Sequence, residues 1–246
     1  MLSKSFEKYI NSLKQKKYRI EYKRFIAEGD KIAGELLNSN LPVEKICATP
    51  NWITANESLL EKRKALIEEV SSQQMKKITA LSTPSEVLLL AKIPDYKIDQ
   101  KEVLSNLNLV LDGIRDPGNL GAIIRIADWF NIPQIFCSGD CVDAYNPKVI
   151  QASMGSICRI KVFEKNPGSL FEEYPAKVFA ATFNGENIFQ AQLSEQGFII
   201  IGNEARGISK ELEKYITKKI TIPQFGKAES LNAAVATGIV CAAFRK

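Results

Sequence analysis

From residue 107 onward the chain repeats one pattern, in which a short run rich in Val, Ile, Leu and Phe alternates with stretches that mostly carry helical spacing. The runs are LNLVLD, PQIFCSG, RIKVFE, KVFAATF, GFIIIGNE and KKITIP. Strands that alternate with helices are joined by crossovers, which makes a sheet mainly parallel and covers both of its faces. The expected fold class is α/β. In such sheets ligands bind beyond the carboxyl ends of the strands, where loops and helix N-termini converge, so the residues that follow each run are the ones to search for chemistry.

The first part of the chain is patterned differently. Residues 1–16 read as a polar, Lys-rich helix or arm, and KIAGELLNS and ESLLEKRKALIEEV carry helical spacing on either side of the strand-like VEKICAT. Short apolar runs follow at MKKITAL and VLLLAKI, ending at Pro94, and DYKIDQKEVLSN reads as a linker. A length of 246 residues accommodates two modest domains. The expected division is 1–100 and 105–246, with the boundary near residues 95–106.

Several function classes are excluded or disfavoured by composition. No stretch approaches the roughly 18 uncharged apolar residues of a membrane span, and the start MLSKSFEKYINSLKQKK lacks a secretory apolar core; a cytoplasmic address is expected. Cys47, Cys137, Cys141, Cys158 and Cys241 are an odd number in mostly apolar settings, which suits buried free thiols rather than a disulfide framework. Cys137 and Cys141 form no second close pair with other cysteines, and the chain has 0 histidines, so no metal site is expected. The missing imidazole also removes Ser-His and Cys-His nucleophiles and any His general base.

The net charge of +5 permits a nucleic-acid partner without demanding one. Its distribution says more. Lys14, Lys16, Lys17, Arg19, Lys23 and Arg24 crowd one segment, interleaved with Tyr18, Tyr22 and Phe25. Charge for phosphates beside faces for stacking suits an RNA-gripping surface, with Lys16, Lys17, Arg19, Lys23 and Arg24 as the candidate contacts. A solvated amphipathic helix end fits the same residues equally well.

Three phrases at strand ends carry the chemistry: Asn119-Leu-Gly-Ala-Ile-Ile-Arg125, Gly202-Asn-Glu-Ala-Arg-Gly-Ile-Ser209, and Ile222-Pro-Gln-Phe-Gly-Lys-Ala-Glu-Ser-Leu-Asn232. The segment LVLDGIRDPGNLGA lacks GxGxxG spacing, which counts against a dinucleotide site, and no GxxxxGK[ST] phosphate loop occurs. In the first phrase Pro117 and Gly118 shape a loop before a helix. Arg125 lies six positions beyond Asn119, a little under two turns, so the two could face one side. Alone, Arg125 reads as a surface residue paired with Asp128. Gly202 allows close backbone approach to a ligand, Ser209 suits an N-cap before KELEKY, and a helix is expected to open near Ser230 with Ser230 as a cap.

In this order the three phrases resemble the motifs of the SpoU/TrmH family of SPOUT RNA methyltransferases. The resemblance covers residues 105–246 in detail. It implies transfer of a methyl group from S-adenosylmethionine to a ribose 2′-hydroxyl of rRNA or tRNA, without a metal. It assigns Arg125 to catalysis, with Asn119, Glu204, Ser230 and Asn232 shaping the site, and places the cofactor against Thr182, Gly202, Ile222 and Leu231. It also implies a C-terminal trefoil knot, a homodimer through the methyltransferase domain, and a small RNA-binding domain over residues 1–100. Members often carry a second Gly where this chain has Ala205, which would matter if that position needs positive φ. A SPOUT enzyme acting on a base, or a noncatalytic RNA-binding protein on the same scaffold, are the competing readings.

The final segment LNAAVATGIVCAAF is apolar on nearly every face, so it belongs in the core or at a subunit contact.

Overall fold

The structure, a computed structural model, describes residues 2–245. In chain order the strands are β1 (Arg24–Glu28), β2 (Val43–Ala48), β3 (Ile67–Glu69), β4 (Val87–Lys92), β5 (Leu107–Asp112), β6 (Gln134–Cys137), β7 (Lys161–Glu164), β8 (Val178–Asn187), β9 (Gly197–Gly202) and β10 (Lys218–Thr221). The helices are α1 (Lys4–Ser12), α2 (Lys16–Tyr22), α3 (Asp30–Leu37), α4 (Pro50–Ala55), α5 (Glu57–Leu60), α6 (Ser72–Ile78), α7 (Gln100–Ser105), α8 (Pro117–Trp129), α9 (Pro147–Ser153), α10 (Pro167–Glu173) and α11 (Ala233–Phe244). Two compact units result. One runs to Asp95 and also takes in Tyr145–Cys158; the other comprises Tyr96–Ala144 and the chain from Arg159 onward.

The first unit holds a four-stranded sheet in the order β1-β4-β2-β3, antiparallel except for the β2–β3 pair. Ile10 and Leu13 from the first helical segment pack with Ile26, Leu88, Leu90, Met75 and Ile78, all buried. Periodicity misreads two segments here. ESLLEKRKALIEEV is not one helix: it divides into α5, a 3₁₀ turn over Glu61–Leu66, and β3. Its Ile67 pairs with Ile46 of β2, so sheet pairing overrides helical spacing. MKKITAL, in turn, supplies most of α6, whose start is fixed by a capping box between Ser71 and Gln74. The segment Tyr145–Cys158, placed by sequence in the second domain, groups with the first unit, where α9 meets β1 and Tyr145 packs on Phe25 with ring centroids 5.0 Å apart.

The second unit is a six-stranded sheet in the order β10-β8-β9-β5-β6-β7, with every neighbouring pair parallel. All the apolar runs read from the sequence beyond residue 107 are strands of this sheet. Alternation along the strands sends Val110, Phe136, Phe198 and Ile200 to one face, packed with Leu170 and Phe171 of α10 and Val103 of α7. The opposite face carries Leu109, Leu111, Ile199 and Ile201, all buried, on the side covered by α8 and α11. Burial on both faces explains why each strand reads as a continuous apolar run. β5 and β9 sit side by side at the centre, in register from Leu107↔Gly197 to Asp112↔Gly202, so the first two motif loops leave the sheet next to each other.

Candidate active site

The first loop, after β5, is tied down before it enters α8. Gly113 N–H donates to Ser138 Oγ at 2.9 Å and Ile114 N–H to Cys141 Sγ at 3.3 Å. Asp116 then caps α8 by accepting from Asn119 N–H at 2.8 Å, with Pro117 in the first turn. The thiols thus serve the fold. Cys47, Cys137, Cys141 and Cys241 are buried and unbridged, and burial pushes Cys47 and Cys241 up to about 12. Among the described residues no group of His, Cys, Asp and Glu could hold a metal ion.

The second loop, after β9, closes on itself through reciprocal bonds between Asn203 and Gly207 at 3.0 and 2.8 Å. The Asn203 side chain accepts from Ala205 N–H and Arg206 N–H and donates to Gly113 O at 2.8 Å, locking the second loop to the first. Gly202 is indeed needed for close approach, but to the protein's own backbone: a Cβ there would meet Gly207 C at 2.4 Å and Ile208 N at 2.6 Å. Ala205 carries no strain, because the left-handed position of this loop is Gly207, with φ +68°. Ser209 makes no side-chain cap; its N–H donates to the buried carboxylate of Asp112 at 2.7 Å, and KELEKY is a 3₁₀ turn.

The third loop follows β10. Gln224 donates its amide to Gly226 O at 3.0 Å and Ala228 O at 2.8 Å, stapling the turn. The cap of α11 is Asn232, which accepts from Ala234 N–H and Val235 N–H. Ser230 lies two residues further out, and the expectation of a helix opening there is corrected: it has no capping role and stands exposed on the cavity wall.

Asn119 joins the three loops. Its Nδ2 donates to Glu204 Oε1 at 2.5 Å, and its Oδ1 accepts from Asn232 Nδ2 at 2.8 Å. Each Asn has a fixed amide orientation as a result, because Asn232 Oδ1 is already occupied by the α11 cap. Arg125 lies outside this chain of bonds. Six residues along a helix is roughly 120° of rotation away, so Arg125 does not share a face with Asn119; it is exposed, on a stripe with Gly118, Ala122 and Trp129. Nor is it paired with Asp128, whose carboxylate accepts three bonds from Arg159 at 2.8–3.0 Å. Among the described residues Arg125 has no hydrogen-bond or ion-pair partner.

Beside Glu204 opens a cavity of about 380 Å³ lined mainly by apolar side chains, including Ile201, Ile220, Ile222 and Leu231. Thr182, Gly202, Ser230 and Glu204 line it too. Part of its wall is an irregularity in β8. Ala180 pairs with Lys219 and Glu186 with Ile220, so residues 181–185 loop out of the ladder and carry Thr182 to the cavity. Thr182 Oγ1 is buried without a hydrogen-bond partner among the described residues. A buried hydroxyl of this kind is costly unless a ligand satisfies it. The pocket therefore fits a nucleoside cofactor: apolar walls for a purine, an unfilled hydroxyl for its polar edge, and carboxylate at one side for a cation. Sequence reasoning missed the bulge, since KVFAATF reads as unbroken strand.

In the first unit the basic segment separates into distinct roles. Lys16, Lys17 and Lys23 are exposed. Arg19 is 1% exposed and donates to Leu13 O at 2.7 Å, so it braces the turn between α1 and α2 and has no surface to offer RNA. Arg24 is bound bidentately by Glu44. A segment that reads as uniformly basic thus turns two of its cations, Arg19 and Arg24, to the protein itself.

The cavity thus lies at the carboxyl ends of β8, β9 and β10 in an open parallel sheet, the place where such sheets bind nucleotide ligands, with the interlocked Glu204–Asn119–Asn232 line beside it. The chain belongs to the SpoU rRNA Methylase family, whose profile matches residues 106–242, and the profile of an MRM3-like substrate binding domain matches residues 6–89. It is 30% identical over 232 residues to the 23S rRNA (guanosine(2553)-2′-O)-methyltransferase RlmP of Bacillus subtilis, covering 93% of this chain and 91% of the relative. Its fold superposes on a TrmH-family structure from Porphyromonas gingivalis with a TM-score of 0.89 at 33% identity, covering 100% of this chain and 98% of that one. An AdoMet-bound rRNA methyltransferase from Sinorhizobium meliloti gives a TM-score of 0.87 at 28% identity, covering 100% and 95%. Among the described residues no helix is long and apolar enough to cross a membrane.

Proposed function

We propose that this chain transfers a methyl group from S-adenosylmethionine to a ribose 2′-hydroxyl of large-subunit ribosomal RNA, in the compartment where ribosomal RNA lies, the cytoplasm. The observation that carries this reading is the hydrogen-bonded line Glu204–Asn119–Asn232, which ties one residue of each motif together beside the cavity. The cofactor, when bound, supplies an electrophilic methyl group on a cationic sulfonium. Thr182, Gly202, Ile222 and Leu231 would hold it. Glu204 presents negative charge at the wall, fixed in orientation by Asn119. Arg125 handles the charge that develops on the nucleophile. A guanidinium keeps its proton at any working pH, so its role is to stabilise the ribose oxygen as it becomes anionic, and its lack of a carboxylate partner leaves it available to do so.

The family's other properties are part of the same reading. Exposed Lys16, Lys17 and Lys23 beside Tyr18 and Tyr22 suit the first unit to gripping RNA. The C-terminal knot is consistent with α11 returning from the sheet edge at β10 to pack beside β9 and α8. A symmetric homodimer is supported by apolar groups left in solvent on α8 and α11, Trp129 at 85% exposed and Val235 at 52%.

Incubation with radiolabelled cofactor and 23S rRNA lacking modifications tests the reaction. Nucleoside analysis should recover one ribose-methylated nucleotide. Label on a base, or no label, would overturn the reading.

A further inference from the structure

Two phenylalanines stand at the rim of the cavity with their rings in solvent, Phe183 at 69% exposed and Phe225 at 98%. One exposed apolar side chain is ordinary. Here, however, each ring is held out by its own piece of constrained backbone. Phe183 sits on the looped-out part of β8, where its carbonyl accepts from Thr221 Oγ1 at 3.2 Å. Phe225 sits at the tip of the third motif loop, inside the turn that Gln224 staples through Gly226 O and Ala228 O. The two bonds from Gln224 fix the course of the loop, and on that course the Phe225 ring stands in solvent.

We propose that Phe183 and Phe225 form a stacking site for an unstacked base of the RNA substrate, next to the cavity that holds the methyl donor. The inference rests on the methyl-transfer reading and adds to it the part of the protein that meets the base. Sequence-tolerant recognition of splayed RNA uses aromatic faces of this kind. The cavity is open to solvent on the side where these two rings stand, and a ring 98% exposed leaves nearly its whole face for a molecule arriving from that side. The molecule that must arrive there is the nucleotide to be methylated or its neighbour. Exposed Lys227, two residues beyond Phe225, supplies a cation for the phosphate of the same strand. A protein partner would leave that cation and the adjacent donor cavity without a purpose.

The test uses the full chain with Phe225→Ala, Phe225→Leu, Phe225→Trp and Phe183→Ala. Three quantities are read: the half-saturating 23S rRNA transcript concentration in methyl transfer, cofactor affinity by calorimetry, and quenching of a single-stranded ribo-oligonucleotide carrying 2-aminopurine. Each Ala variant should raise the half-saturating RNA concentration roughly tenfold and reduce quenching, the scale of a lost base stack. Trp should restore both and Leu neither, because Leu has apolar bulk without an aromatic face. Cofactor affinity should not change for Phe225→Ala. Unchanged RNA parameters, rescue by Leu, or a loss confined to cofactor affinity would each overturn the stacking site. If the wild-type chain fails to methylate RNA, the functional reading falls, and the quenching series still decides whether these rings stack on bases.

Discussion

Arg125 precedes Asp128 by three residues on the same helix, a spacing at which opposite charges ordinarily pair, yet Asp128 is occupied by Arg159. The arrangement keeps one cation out of the local ion-pair network. If that cation stabilises the developing alkoxide, Arg125→Ala should bind S-adenosylmethionine as wild type does and transfer about a hundredfold or more slowly in single turnover. Arg125→Lys should recover little, since a point charge does not reproduce a planar fork. A wild-type single-turnover rate in folded Arg125→Ala would remove this residue from the mechanism. Arg19 shows the opposite case: identical charge, placed by the sequence in a basic cluster, but buried with its donors turned inward. Nothing local in the sequence separates the two, because the difference lies in which helix face tertiary packing covers.

At the scale of elements, Asn232 is both the cap of α11 and a donor to Asn119, and these roles can be separated. Asp caps a helix as well as Asn does but has no proton to donate. Asn232→Asp should therefore melt within a degree or two of wild type while transfer falls, whereas Asn232→Ala should lose about 1 kcal/mol of stability as well. Equal transfer rates for Asn232→Asp and wild type would show that the link to Asn119 is dispensable. The strands of the large sheet were legible because burial on both faces leaves a continuous apolar run for each. The motif phrases were legible because their polar residues follow such runs. What stayed hidden depends on pairing: β3 exists because Ile67 finds Ile46, and the irregularity in β8 exists because β10 aligns on both sides of residues 181–185. Ser230 and Ser209 have the right residue type for caps, but the cap of α11 lies two residues beyond Ser230, at Asn232, and Ser209, though at the start of its 3₁₀ turn, makes no side-chain cap bond.

For the molecule as a whole, the exposed stripe of α8 sets Arg125 beside Trp129, one helical turn apart. If Trp129 and Val235 meet their counterparts in a second copy, Trp129→Glu should convert the protein to a monomer in sedimentation experiments. Sedimentation of wild type as a monomer would remove the interface. The first unit should contribute affinity rather than chemistry. Combined Lys16→Gln, Lys17→Gln and Lys23→Asn changes should weaken RNA binding and flatten its dependence on salt, with cofactor affinity unchanged. Asn is chosen at position 23 because Lys23 has φ 51°, a conformation Asn tolerates. An RNA salt titration identical to wild type would mark these lysines as a solvated face.

The outward loop in β8 has a consequence for how such a protein can diversify. Residues 181–185 leave the ladder with β10, which is in place before and after them. Lengthening or shortening this stretch would reshape one wall of the cavity while leaving the register of β9 with β5, and hence the interlocked loops, untouched. The pocket's dimensions are thus adjustable independently of the scaffold, and because Thr182 and Phe183 both ride on this stretch, a change in its length would alter the cofactor wall and the base-facing rim together.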